Sequence, residues 1–229
     1  MNDQIITDLN GTLRRGSVGI NFANAILEDE DADEINQILL DTKKGDMSRR
    51  EGAEKVYEVY ANSVEGRSRE DVEEEARKFI GELDWSESPR NPFKGVEGQI
   101  HVISDNPEPV VEAYLDGLET PEEQTEAHGM TMESEDGIYT GKIEHNMVKD
   151  GKETVVGKVV EEENEVIAIG DTIMDKDMFE AADYAILVAP SDNLIDLAED
   201  HDWTYQVCEG PSGVNQAIRE YQNNESTAV

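Results

Sequence analysis

Four short apolar runs constrain this chain more than any other feature. Ile5-Ile6-Thr7 leads to Asp8, Ile100 to Ile103 leads to Ser104, Val166 to Gly170 leads to Asp171, and Tyr184 to Ala189 leads to Pro190. Each is too short for a helix and is bounded by turn residues, so each reads as a buried strand. The first strand covers residues 3–8, and the others cover 99–104, 166–170 and 184–189, with a further strand at 204–208. Between them lie segments of helical periodicity at 107–118, opening on a proline, and at 152–162, 175–182, 193–200 and 212–222. Strand–helix alternation of this kind predicts an α/β fold with a mostly parallel sheet and helices on both faces. Residues 126–144 read as a hairpin turning at Asp136-Gly137, and Asn223 to Val229 read as a frayed end.

Residues 16–85 break the alternation. They are helical and charged, from the stretch beginning at Phe22 to the one ending at Leu83. Ser68, with Asp71 three residues on, marks a helix start. Val56, Val59 and Tyr60 recur at helical spacing, which is accounted for by helix packing.

Charge narrows the function. Asp plus Glu total 54 against 19 Lys plus Arg, a formal net charge of -35 over 229 residues. Such a field repels phosphodiester backbones and anionic lipid surfaces, so neither nucleic acid nor membrane is an expected partner. The acids are spread over nearly every helix rather than gathered in a tail, and this resembles proteins of salt-accumulating halophilic microbes, in which molar salt screens self-repulsion. Cys208 is the sole cysteine, which forbids an intrachain disulfide and suits a reducing cytosol. No basic-then-apolar leader and no run of spanning length is seen, so a soluble cytoplasmic protein is expected. His101, His128, His145 and His201 show no metal-ligand spacing along the chain and receive no role.

In sheets of this class, ligands bind beyond the carboxyl ends of the strands. Asp8, Ser104 and Asp171 end three strands, and Lys152 opens a helix after Gly151. A carboxylate, a hydroxyl, an ammonium and the acid pair Asp171 and Asp175 make a coherent set for phosphoryl transfer. Here the sequence resembles the haloacid-dehalogenase-like superfamily. Asp8-Leu9-Asn10-Gly11-Thr12-Leu13 is similar to its first motif, Ser104 to its second, Lys152 to its third, and Gly170-Asp171 with Asp175 to its fourth. Lys158 is the competing choice for the lysine. The phosphoserine-phosphatase-like branch is the nearest in pattern, through Ile103 to Asn106 and Gly137 to Ile143.

The resemblance implies a Rossmann-like three-layer core, residues 1–15 and 86–229, with a small helical cap at 16–85 inserted after the first strand. It implies a Mg2+-dependent phosphomonoesterase acting on a small phosphorylated metabolite through an aspartyl-phosphate on Asp8. Asp8, the Asn10 main-chain carbonyl and Asp171 would hold the metal. Asp8, Gly11, Ser104, Asp105 and Lys152 would surround the phosphoryl group, with Asp175 orienting Lys152 or metal-bound water. The family's phosphatases carry an aspartate where this chain has Asn10. An amide cannot exchange that proton, a deficit of roughly 10²–10⁴-fold for general acid–base catalysis. Three readings follow: a substitution introduced to trap a complex, a slow or reassigned enzyme, or a protein that binds a phosphorylated ligand without turning it over. A metal-independent dehalogenase is a further alternative, disfavoured by the retention of Asp171 and Asp175. The phosphoserine enzymes place a glutamate shortly after the first motif, whereas this chain has Arg14 and Arg15. With Arg49 and Arg50 these could meet an anionic substrate or simply offset surface acid.

Overall fold

The computed structural model describes residues 3–86, 88–161 and 163–228. Strand β1 (Asp3–Thr7) is followed by four helices, α1 (Val18–Ile26), α2 (Asp29–Lys44), α3 (Arg49–Ser63) and α4 (Arg69–Gly81). The chain returns through β2 (Gln99–Pro107) and α5 (Glu108–Asp116), then forms β3 (Thr125–Glu135) and β4 (Ile138–His145). Two short helices, α6 (Met147–Asp150) and α7 (Glu153–Val159), lead to β5 (Glu165–Gly170), and a single 3₁₀ turn at Ile173–Asp175 leads to α8 (Lys176–Glu180). Strand β6 (Tyr184–Val188), α9 (Asp192–Asp200), β7 (Tyr205–Cys208) and α10 (Val214–Ala228) complete it.

All seven strands form one sheet in the order β4-β3-β2-β1-β5-β6-β7. Every neighbouring pair is parallel except β3 and β4. Successive strand residues point to opposite faces, and two cores result. Ile5, Ile100, Val102, Ile167, Ile169 and Ile186 pack with Phe22, Tyr60, Tyr114, Val214 and Ile218 on one side. Ile6, Ile103, Val166, Ala168 and Leu187 pack with Val155, Val156, Phe179 and Leu194 on the other. These are the two helix-covered faces that the apolar runs predict. Among the described residues no helix is long and apolar enough to cross a membrane.

The helical stretch beginning at Phe22 reads as continuous from its sequence but is divided in the fold. Leu27 and Glu28 are extended and separate α1 from α2, and Asp29, Glu30 and Asp31 then occupy the first turn of α2, where negative charge meets the positive end of the helix dipole. Ser68 does cap α4, accepting the Asp71 amide at 3.1 Å. The hairpin turns at Asp136 and Gly137, both with positive φ (49° and 78°), the pattern of a type I′ turn. It joins the main sheet through β3. Residues expected to fray remain helical to Ala228; Val229 lies outside the described residues.

The four-helix segment adds no strand to the sheet, but it touches the hairpin at its far end. Gly66 N–H donates to Tyr139 O (2.9 Å), Tyr139 N–H to Arg67 O (3.0 Å) and Arg69 N–H to Gly137 O (2.8 Å).

Candidate active site

The carboxyl ends of β1, β2 and β5 converge, as sequence reasoning requires. Asp8 extends β1 by one ladder bond, its N–H donating to Ile169 O at 2.9 Å. That bond buries the residue and aims its carboxylate at the crevice. Lys152 is the residue just before α7, after Gly151 in a left-handed conformation (φ 76°). Its backbone N–H is held by Asp177 Oδ2 at 3.1 Å. Its buried ammonium donates to Asp8 Oδ1 and to Asp175 Oδ1, each at 2.7 Å. Lys152 therefore supplies the site cation, and Lys158 lies in the last turn of α7.

Asp175 is fully engaged. Its second oxygen accepts the backbone N–H of Asp171 (3.1 Å) and of Thr172 (3.0 Å). Gly170 makes this close approach possible, since a Cβ there would stand 2.7 Å from the Asp175 side chain. Asp171 ends β5, half-buried, and takes a hydrogen bond from the Thr12 hydroxyl at 3.4 Å. Gly11, with φ 86°, lets the loop pass over it: a Cβ at Gly11 would sit 2.0 Å from Asp171 Oδ2.

Electrostatic strain marks this cluster. Carboxylate oxygens of Asp8, Asp171 and Asp175 can all lie within 4.8 Å of one another. Burial pushes Asp8 well above the usual carboxylate range; Lys152 opposes this, while Asp175, Asp105 and Asp171 add to it. Asp171 is pushed up to about 7 by burial and by Asp175, against the pull of Lys152. For Lys152, burial would lower the pKa, but Asp175 and Asp8 outweigh it and hold the ammonium firmly charged. One lysine does not neutralise three clustered carboxylates. The donors are hard oxygens and their mutual repulsion is unrelieved, so the residues fit a hard divalent cation such as Mg2+. Asp8 and Asp171 have oxygens to offer such an ion, whereas those of Asp175 are already committed.

Asn10 does structural work. Its Nδ2 donates to Asn106 Oδ1 (2.9 Å), and its Oδ1 accepts the Val18 N–H (2.9 Å). Asn106 Oδ1 also accepts the Gly19 N–H (3.0 Å). Two amides thus tie the Asp8 loop, the start of α1 and the end of β2 together. Ser104 is completely buried, with its hydroxyl accepting the Asn106 N–H at 3.4 Å. Its neighbour Asp105 faces the cavity instead. Burial raises the Asp105 pKa, Lys152 lowers it and Asp175 raises it, with a hydrogen bond from Asn10 pulling it down.

The cavity above this floor encloses about 340 Å³ and is roofed by the helical segment through Ile20, Arg49, Val56 and Tyr57. Burial raises the Tyr57 pKa, and so do Asp105 and Asp8. Of the four arginines singled out by sequence, Arg49 lines this cavity. Arg14 bonds Asp84 O at 3.0 Å, Arg50 bonds Lys149 O at 2.7 Å, and Arg15 lines a separate pocket beside Trp85. Sequence reasoning did not find Tyr57. The spacing of Val56, Val59 and Tyr60 reads as packing and passes over Tyr57, and only the fold shows that this residue lines the cavity with Asp8.

A model of the haloacid dehalogenase-like hydrolase family matches residues 5–180. Among solved structures, a probable phosphoserine phosphatase from Vibrio cholerae is similar, with TM-score 0.61 and 14% identity over 98% of this chain and 67% of that one. A phosphoserine phosphohydrolase-like protein from Francisella tularensis gives 0.60 and 18% over 94% and 99% of the two chains. Cytosolic 5'-nucleotidase IIIB bound to cytidine gives 0.61 and 15% over 98% and 87%. At these identities the likeness is one of fold. No curated protein sequence matches the chain.

Proposed function

From the premise that this chain belongs to the haloacid dehalogenase-like hydrolase family, we propose that it is a Mg2+-dependent phosphomonoesterase with Asp8 as nucleophile and an intrinsically slow proton transfer. The observation that carries this reading is the buried Lys152 ammonium bridging Asp8 and Asp175 at 2.7 Å each on the floor of a cavity. In this role Lys152 holds Asp8 in one orientation, and its charge offsets that of the incoming phosphoryl oxygens. Asp8 attacks phosphorus as the leaving oxygen departs, giving an aspartyl-phosphate, and water then releases phosphate. Asp8, the Asn10 carbonyl and Asp171 would hold Mg2+, which would supply further positive charge to the phosphoryl group. Asp175 positions Lys152, and Ser104 supports the β2 end from below. Residues 16–85 act as a cap over a core formed by 1–15 and 86–229.

Asn10 cannot carry the proton. Its amide is matched by Asn106, which supports an asparagine native to this architecture. Asp105, which takes a hydrogen bond from Asn10 and faces the cavity, is the remaining acid beside it, and we assign it the residual proton transfer. The cavity volume, near the lower end for ligand pockets, suits a small phosphorylated metabolite, with Arg49 meeting an anionic group of it. The single buried cysteine and the acid-rich surface support a cytoplasmic protein from a high-salt interior.

Hydrolysis of an aryl phosphate with Mg2+ in molar KCl tests the proposal. Turnover should require Mg2+ and vanish in Asp8→Ala. The alternative, a non-catalytic phospho-ligand-binding protein, is favoured by the structural use of Asn10. It predicts phosphate-ester binding with no turnover even in Asn10→Asp.

A further inference from the structure

Away from the cavity, strand pairing gathers three metal-ligating side chains that the sequence keeps apart. His101 on β2 stands opposite Glu126 on β3. His128 lies two residues further along β3, so it projects from the same face of the sheet. Nδ1 of His101 is 3.1 Å from Nε2 of His128 and 3.3 Å from Oε2 of Glu126. All three side chains can place a ligand atom within 4.8 Å of the others. We propose that His101, Glu126 and His128 bind a borderline divalent transition metal, best matched by Zn2+, at a site distinct from the acidic cluster.

Proton arithmetic is the first argument. The Nδ1 of a neutral imidazole carries either one hydrogen or one lone pair. A hydrogen there must be divided between two acceptors. A lone pair there faces the Glu126 carboxylate repulsively. One cation satisfies all three lone pairs together. The distances agree: ligands at roughly 2.0–2.1 Å in a tetrahedral zinc shell stand about 3.3 Å apart.

Ligand chemistry separates this site from the catalytic one. Two imidazoles and one carboxylate select Zn2+, or Cu2+ more tightly still, and disfavour Mg2+, which prefers an all-oxygen shell. The Glu126 side chain is 57% exposed, leaving a path for the ion and room for water as a fourth ligand. Among the described residues His101 Nε2 has no hydrogen-bond partner; an orienting contact of that kind is worth roughly 10–100-fold in affinity at metal sites. An ion here clamps β2 to β3 three residues ahead of Ser104.

The test uses the full chain, stripped with chelator, in molar KCl with excess Mg2+ to occupy the acidic surface. Co2+ and Zn2+ are titrated separately. One equivalent of Co2+ should give the intense visible bands of tetrahedral, nitrogen-containing ligation, and Zn2+ should displace it. His128→Gln and Glu126→Gln should each weaken Zn2+ binding by at least 10-fold, and Zn2+ should no longer raise their melting temperature. Histidine-ring NMR on the unmodified protein guards against a variant that fails to fold: two of the four imidazoles should shift on adding one equivalent of Zn2+. Octahedral, all-oxygen Co2+ spectra, unchanged binding in both folded variants, or unmoved histidine signals would each overturn the site.

Discussion

Replacing Asn10 by aspartate sets catalysis against packing at a single atom. The amide donates to Asn106 Oδ1 at 2.9 Å, and an aspartate would oppose two acceptor oxygens across that gap. Turning the Asn106 amide over restores a donor toward residue 10 but points it at the Gly19 N–H, now bonded to Asn106 Oδ1 at 3.0 Å. One buried polar group stays unsatisfied either way, at a cost of about 1–3 kcal/mol. The new charge near the start of α1 returns about 0.3–1 kcal/mol through the helix dipole. Asn10→Asp should therefore lose about 1–2 kcal/mol of stability, a drop of roughly 2–8 °C in melting temperature for a domain of this size. Catalysis should move the other way. A positioned acid–base group contributes about 10²–10⁴-fold, and Asp105 recovers only part of it, so kcat should rise at least 10-fold. Initial rates on an aryl phosphate across pH, paired with thermal melts in the same molar KCl buffer, measure both effects. A folded Asn10→Asp protein that still binds Mg2+ and shows an unchanged kcat would refute the proton-transfer argument. A higher melting temperature would refute the amide-pair argument.

Asp105→Asn in the parent chain should remove most of the residual turnover while leaving Mg2+ affinity within a few-fold, read by steady-state kinetics and calorimetry. Lys152→Met should abolish turnover and cost about 3–5 kcal/mol in chemical denaturation, because it leaves Asp8 and Asp175 buried without their cation. Asp171 is raised in the folded state from 3.8 to about 7, so the folded protein holds this proton more tightly than the unfolded chain. Without metal, stability should fall as pH rises from about 4 to 7; Asp171→Asn should flatten that part of the curve, and denaturation midpoints against pH would expose a failure to do so. With a net charge of -35, melting temperature should climb steeply with KCl as the screening length contracts from roughly 30 Å at 0.01 M to 3 Å at 1 M. A salt-independent melt would remove the halophile reading.

The sequence exposes the parts of this site that short-range rules control. Asp8 and Asp171 are visible because an apolar run must stop where the strand leaves the core, and Lys152 because Gly151 precedes a helical stretch. Long-range pairing hides the rest. The run from Ile100 to Ser104 predicts a strand ending at Ser104, whereas β2 continues to Pro107, and the run does not reveal that Asp105, one residue on, faces the cavity while Ser104 is sealed beneath. Four arginines look equivalent until the fold sends Arg14 to Asp84 and Arg50 to Lys149 and leaves Arg49 over the floor. The turn at Asp136-Gly137 announces a hairpin, but nothing local says that β3 will lie parallel to β2. That pairing alone brings His101 to His128.

Strand β4 is an end of the seven-stranded sheet, and the backbone bonds from residues 66–69 fall on its outer side. A bare sheet edge invites strand addition by another molecule, and Ile138 there is already 42% exposed. The loop between α3 and α4 thus acts as a stopper on a self-association surface, apart from any part the helices play over the cavity. Excising residues 16–85 to obtain a minimal hydrolase would strip the stopper away. The shortened chain should then aggregate through β4 even where its core is intact, and a lysine at Ile138 should restore its solubility.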